Sequence, residues 1–125
     1  MNTDIFMFFE NHRDALPLYE TLEEKVLKEV EDTSIKVQKS QISFYKKHLF
    51  ACVSFARVRK KKDCPPCFIV VTLGLGRRLD SPRVEIATEP YPNRWTHHLL
   101  ISDAKEIDEE FMTWVREAAA FAAAK

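Results

Sequence analysis

The spacing of apolar side chains changes twice along the chain. In "RDALPLYETLEEKVLKEV", residues 13 to 30, Leu16, Tyr19, Leu22, Val26 and Val30 recur every three or four positions, the period of one face of an α-helix. Pro17 falls early enough to sit in a first turn, where its missing N–H costs nothing, and the other positions give the helix an acidic outer face. A shorter apolar helix precedes it in "DIFMFFENH", with Asp4 placed as its N-cap.

From Ser34 the period becomes two, and β-branched and aromatic residues dominate. "IKVQK", "QISFY", "LFACVSFARV", "FIVVTLGL" and "THHLLI" predict five strands, with "KKH" as a hairpin turn between the second and third. Near the end the helical period returns in Ile107, Phe111, Trp114, Ala118 and Phe121, and the helix starts at either Asp103 or Asp108, each of which could cap it. Two N-terminal helices, a run of strands with short turns and a closing helix predict a single α+β domain over residues 1–125. Its mainly antiparallel five-stranded sheet carries the helices on one face.

Alternation sorts the strand residues by face. Ile35, Val37, Ile42, Phe44, Ile69, Val71, Leu73 and Leu75 belong to the helix-covered side, and Lys36, Gln38, Gln41, Ser43, Tyr45 and Thr72 to the other. In the last strand Trp95, His97, Leu99 and Ile101 share one side and Thr96, His98 and Leu100 the other. The adjacent histidines therefore face opposite ways and cannot ligate one metal ion together. His97 reads as a core histidine with backbone partners, and His98 as a member of a polar face.

With 125 residues, 46% of them hydrophobic and 30% charged, the chain has the composition of one globular domain. No apolar run is long enough for a membrane span, and "MNTDIFMFF" lacks the basic start and cleavage site of a secretory leader. Cys52, Cys64 and Cys67 form no disulfide pattern. A cytoplasmic protein without a membrane partner is expected.

The zero net charge conceals a segregation. Residues 1 to 32 hold three basic and nine acidic side chains and residues 102 to 125 three and six, whereas residues 33 to 62 hold nine basic and no acidic ones. An asymmetry of this kind bears on partners rather than on fold.

Candidate chemistry is sparse. "CPPC" leads into a strand rather than a helix, against redox use of Cys64 and Cys67, and lacks the second ligand pair of a zinc site. No metal, cofactor or catalytic residue is expected. "TLGLGRRLDSPR" holds both glycines of the chain, Gly74 and Gly76, beside Arg77, Arg78 and Arg83. One reading is an anion-binding loop that Arg94 joins at one sheet edge, and the other a strand-ending turn that needs positive φ.

At "VQKSQISFYKKHLFACV", "VTLGLGRRLDSPRVE" and "EPYPNRWTHHLLISD" the chain resembles an uncharacterised bacterial and archaeal family, a domain of unknown function of DUF5655 type, some members of which carry the label "predicted transport protein". The resemblance runs from "FFENHRDALPLYETLEEKV" to "WVREAAAFA", and puts Gln41, Phe44, Phe50, Ser81, Pro90, Arg94, Trp95, Thr96 and His97 at the family's motif positions. It implies no established activity.

The residues themselves read as a non-enzymatic binding module that presents a basic sheet face to an anionic partner, with nucleic acid the leading expectation. Lys36, Lys39, Lys46, Lys47, Arg59, Lys60, Lys61 and Lys62 would meet phosphates and Tyr45 would stack on a base. The alternative is a small anionic ligand held among Gln41, Ser43, Gly74, Gly76, Arg77, Arg78, Arg83, Arg94, Thr96 and His98. A third is a protein-interaction accessory domain that uses the acidic helices.

Overall fold

A computed structural model of the chain describes residues 3–125. Helix α1 (Thr3–Phe8) holds Asp4 inside its first turn rather than ahead of it, where a carboxylate still favours the helix dipole. A short 3₁₀ turn, Arg13–Ala15, leads into α2 (Leu16–Glu29), with Pro17 in the first turn as its missing N–H requires. The buried stripe of α2 is Leu18, Tyr19, Leu22 and Val26.

The sheet has six antiparallel strands in the order β1 (Ser34–Val37), β2 (Ile42–Lys46), β3 (His48–Ser54), β4 (Ile69–Leu75), β6 (Arg94–Ile101), β5 (Val84–Tyr91). The expected count of five is thus corrected by one. The strand missed is β5, an edge strand whose pairing with β6 is irregular between Val84 and Ile86 and again between Thr88 and Tyr91. Such bulges break the alternation by which a strand is recognised. Strand β3 also ends at Ser54, short of the expected run through Val58. Lys47 alone links β2 to β3, in the left-handed region at φ 71°.

Asp103 and Asp108 are both caps, of two different elements. Asp103 closes a capping box with Glu106 around the 3₁₀ turn Ala104–Glu106, and Asp108 accepts the Phe111 N–H at 3.0 Å at the start of α3 (Glu109–Ala123). Helix α3 turns Phe111, Met112, Trp114, Val115, Ala118, Ala119 and Ala122 inward. They join Leu22 and Val26 of α2 and Ile42, Phe44, Val53, Val71, Leu73 and Leu99 of the sheet in one continuous core. Each large side chain buried in this way contributes about 1.5–3 kcal/mol.

Arg116 bridges Glu29 of α2 and Glu109 of α3, and the Lys25 ammonium donates to the Ile107 carbonyl. These links hold the two long helices side by side on one face and leave the other to be furnished separately. Among the described residues no helix is long and apolar enough to cross a membrane.

Candidate functional site

Strand register carries one row of side chains across the whole sheet: Lys36 lies opposite Ser43, Ser43 opposite Cys52, Cys52 opposite Thr72, Thr72 opposite His98 and His98 opposite Ile86. Their neighbours along each strand, Phe44, Val53, Leu73 and Leu99, belong to the helix-side core, so the row lies on the opposite face. Its centre forms the floor of a depression of about 660 Å³. Phe8, Asn11 and His12 form one wall, Lys39, Ser40 and Gln41 of the β1–β2 connection another, and Ser54, Phe55 and Ala56 a third. The His12 and Phe55 rings stack at 4.0 Å, and Phe8 stacks on Phe55 at 5.5 Å. No aspartate or glutamate lines the depression.

The floor is hydrogen-bonded within itself. Thr72 Oγ1 and His98 Nδ1 lie 2.8 Å apart, and the Cys52 thiol interacts with the same hydroxyl. Burial raises the Cys52 pKa, so its thiol stays protonated and is a poor nucleophile. Burial also lowers the His98 pKa, which favours the neutral ring near pH 7. In the tautomer that lets Thr72 donate to Nδ1, the neutral ring carries its proton on Nε2, for which no further partner is found among the described residues. Ser43 is fully buried, held between Gln38 Oε1 at 3.0 Å and Gln41 Nε2 at 2.9 Å. It orients Gln41 rather than facing a ligand.

One end of this face is dry. Val70 and Leu100 alternate away from the helices and are nevertheless buried. The connection 55–68 leaves β3 and returns to β4 at that end, and its Arg59 reaches across to Glu85 of β5 in a two-pronged ion pair. The polar depression therefore occupies the middle of the face, beside an apolar patch capped by the chain itself.

The residues named from sequence fall into separate places. Gln41 and His98 line the depression, with Lys39 at its rim, and Ser43 is fully buried behind Gln41, to which it is bonded. Thr96 lies opposite Gly74, further along the same face. The arginines do not join them. Arg77 makes a bidentate pair with Glu117 of α3, and Arg83 pairs with Asp108 and Glu110, which draws both to the helix side. Arg78 lies over the Trp95 ring at 5.7 Å, and Arg94 is exposed at the start of β6.

Neither glycine has positive φ; Asp32, Lys47 and Asn93 do. Gly76 instead makes room for Phe121, whose ring would stand 2.9 Å from an added Cβ. Of the expected anion loop, Arg77 and Arg83 are therefore engaged with carboxylates on the helix side and Gly76 serves packing against Phe121.

Of the cations assigned to nucleic acid, Arg59 is engaged with Glu85. Lys36, Lys39, Lys46, Lys47, Lys60, Lys61 and Lys62 have no ion pair among the described residues. Tyr45 is half-buried in β2.

Sequence reasoning passed over Cys52, Thr72, Phe8 and His12 as site residues. The signal for the first two was available: Cys52 between Ala51 and Val53, and Thr72 between Val71 and Leu73, must face away from the core. Phe8 and His12 arrive from a distant helix end and leave no pattern. Cys64 and Cys67 are free thiols that address different partners, the Arg59 carbonyl and the Asp14 carbonyl. Among the described residues no three His, Cys, Asp or Glu side chains converge as metal ligands.

Helices on one face of an antiparallel sheet and a polar hollow on the other define a small α+β domain with an accessible sheet surface. The family model described as "Domain of unknown function (DUF5655)" matches residues 7–122, and the chain belongs to that family. No curated protein and no solved structure matches it.

Proposed function

We propose that the protein is a binding module whose ligand, a small anionic molecule, sits on the open sheet face against His98, Thr72 and Gln41. The observation that carries this reading is the depression itself: about 660 Å³ of space, within the range of small-ligand sites, with Lys39 and two histidines on its walls and floor and no carboxylate. The His98 Nε2–H supplies a donor, Lys39 supplies charge, and Phe8 and Phe55 supply an apolar wall for the body of the ligand. The three free thiols accord with a cytoplasmic setting, which belongs to the same proposal.

Inorganic phosphate, benzoate and adenosine monophosphate are suitable probes, titrated while the His98 imidazole and Thr72 amide resonances are followed. At least one probe is expected to shift both. Because an anion favours protonated His98, whose pKa burial lowers, the affinity for benzoate, which keeps its own charge, should rise as pH falls below the ordinary histidine value. His98→Ala should abolish the pH dependence and Lys39→Gln should weaken binding. If no probe moves either resonance, the reading fails.

A second reading, nucleic-acid binding, is favoured by the unpaired lysines on β1, β2 and the 55–68 connection. Binding of a mixed-sequence oligonucleotide would weaken steeply with salt, and replacing Lys60, Lys61 and Lys62 together with glutamine would lower both affinity and salt slope. No binding at low salt would end this reading.

A further inference from the structure

A second hollow, separate from the open face, lies on the helix side between α1, α2 and the edge strand β1. Glu20, Glu23, Glu24 and Leu27 follow one another at the i, i+3, i+4, i+7 spacing and form a single stripe of α2. With Ile5 of α1 and Ile35 of β1 they enclose about 400 Å³. Leu27 is 46% exposed, unusual for a leucine beside a core. No cation lines the hollow, and none of the three glutamates has an ion pair among the described residues. Like charges at this spacing repel and weaken a helix, so the stripe is left with an uncompensated cost.

An independent feature points into the same place. Tyr19, also on the wall of the hollow, is fully buried, and its hydroxyl makes no well-formed hydrogen bond. The Glu23 carboxylate interacts with it, so the hydroxyl is turned toward the acidic stripe, although no bond of ordinary geometry forms between them. A buried hydroxyl lacking a partner is costly. A donor placed between Tyr19 and Glu23 would complete both.

We infer that this hollow is a binding site for an aliphatic ammonium group. The ammonium nitrogen would lie among Glu20, Glu23 and Glu24 within reach of the Tyr19 hydroxyl, and its methylene chain would cover Ile5, Leu27 and Ile35. Carboxylates at the rim and an apolar floor match the amphipathic form of such a chain. A free polyamine and the lysine side chain of another protein share this chemistry.

The test compares methylamine, butylamine, spermidine and Nα-acetyl-lysine methylamide, the last standing for a protein-borne lysine, by titration followed at the Glu23 and Ile35 amide resonances. Butylamine is expected to bind at least tenfold more tightly than methylamine, since only its chain reaches the apolar floor. The triple variant Glu20→Gln, Glu23→Gln, Glu24→Gln should lose that binding at least tenfold, and Tyr19→Phe should weaken it severalfold with the fold intact. Tighter binding of the lysine analogue than of spermidine assigns the site to a protein partner, and the reverse assigns it to a free polyamine. Shifts that sodium chloride reproduces at equal ionic strength, or that persist in the triple variant, overturn the proposal. Neither outcome bears on the His98 depression, which lies on the other face.

Discussion

The two faces of the sheet are made from the same strands and obey opposite rules. On the helix side Ile42, Phe44, Val53, Val71, Leu73 and Leu99 are almost wholly excluded from water, and the single polar side chain among these strand positions, His97, is held by one definite bond: its Nε2 accepts the Leu79 N–H at 2.9 Å. On the open side Ser43, Cys52, Thr72 and His98 bond to one another or to Gln38 and Gln41. The same residue type at consecutive positions, His97 and His98, thus serves two purposes. His97 closes a loop onto the core, with its Nδ1 buried and making no well-formed hydrogen bond, whereas the His98 ring turns to the open face and meets Thr72. Polarity alone does not mark a site, since a buried histidine with a backbone partner is as structural as a leucine.

The sharpest way to break this comparison is to truncate each histidine. His97→Ala removes a fully buried ring and strands the Leu79 N–H, for an expected loss of about 1–3 kcal/mol. His98→Ala removes a half-buried ring and one bond to Thr72, with an expected loss of about 0.5 kcal/mol. A urea titration of the two variants beside the parent reads both. Equal losses would show that the faces are not distinct in the way described.

Alternation alone had placed both histidines, because a strand offers only two directions. Periodicity likewise gave five of the six strands and the closing helix, whose cap is Asp108, while Asp103 caps the 3₁₀ turn before it. It failed at β5, where bulges interrupt the period, and at the arginines. The partners of Arg77 and Arg83 are carboxylates of α3 and of its cap, forty and about twenty-five residues away. Nothing local in "GLGRRLDSPR" distinguishes an arginine free for a ligand from one already paired. The depression was half legible for a related reason: its floor is periodic, whereas its walls come from a helix end and a long connection.

A smaller effect should appear with pH. Burial is the main cause that lowers the pKa of both histidines in the folded protein. A histidine with a depressed folded pKa contributes stability that is present above its unfolded value, about 6.5, and is lost as pH falls from there through the folded value. Unfolding followed from neutral pH to mildly acidic pH should therefore show falling stability. His97→Gln should flatten the profile more than His98→Gln if the core ring carries the larger share. A profile unchanged in both variants would detach the acid sensitivity from this strand.

The finest test uses the two glycines, two residues apart and in opposite surroundings. Gly74 lies on the open face, and an added Cβ would meet nothing within 4 Å. An alanine there keeps the strand backbone, which has no positive φ to lose, and narrows the unfolded ensemble. Gly74→Ala should therefore stabilise by about 0.5 kcal/mol. Gly76 stands against α3, where the new methyl would meet the Phe121 ring at 2.9 Å. The ring must shift, so Gly76→Ala should cost about 1 kcal/mol through overpacking, offset in part by the same entropic gain. Opposite signs in parallel thermal melts would confirm that one glycine marks open space and the other a filled contact. The double variant Gly76→Ala with Phe121→Leu, in which a flexible side chain replaces the ring, should recover part of the loss. If Gly76→Ala proves as benign as Gly74→Ala, the close approach of Phe121 is not what requires a glycine there.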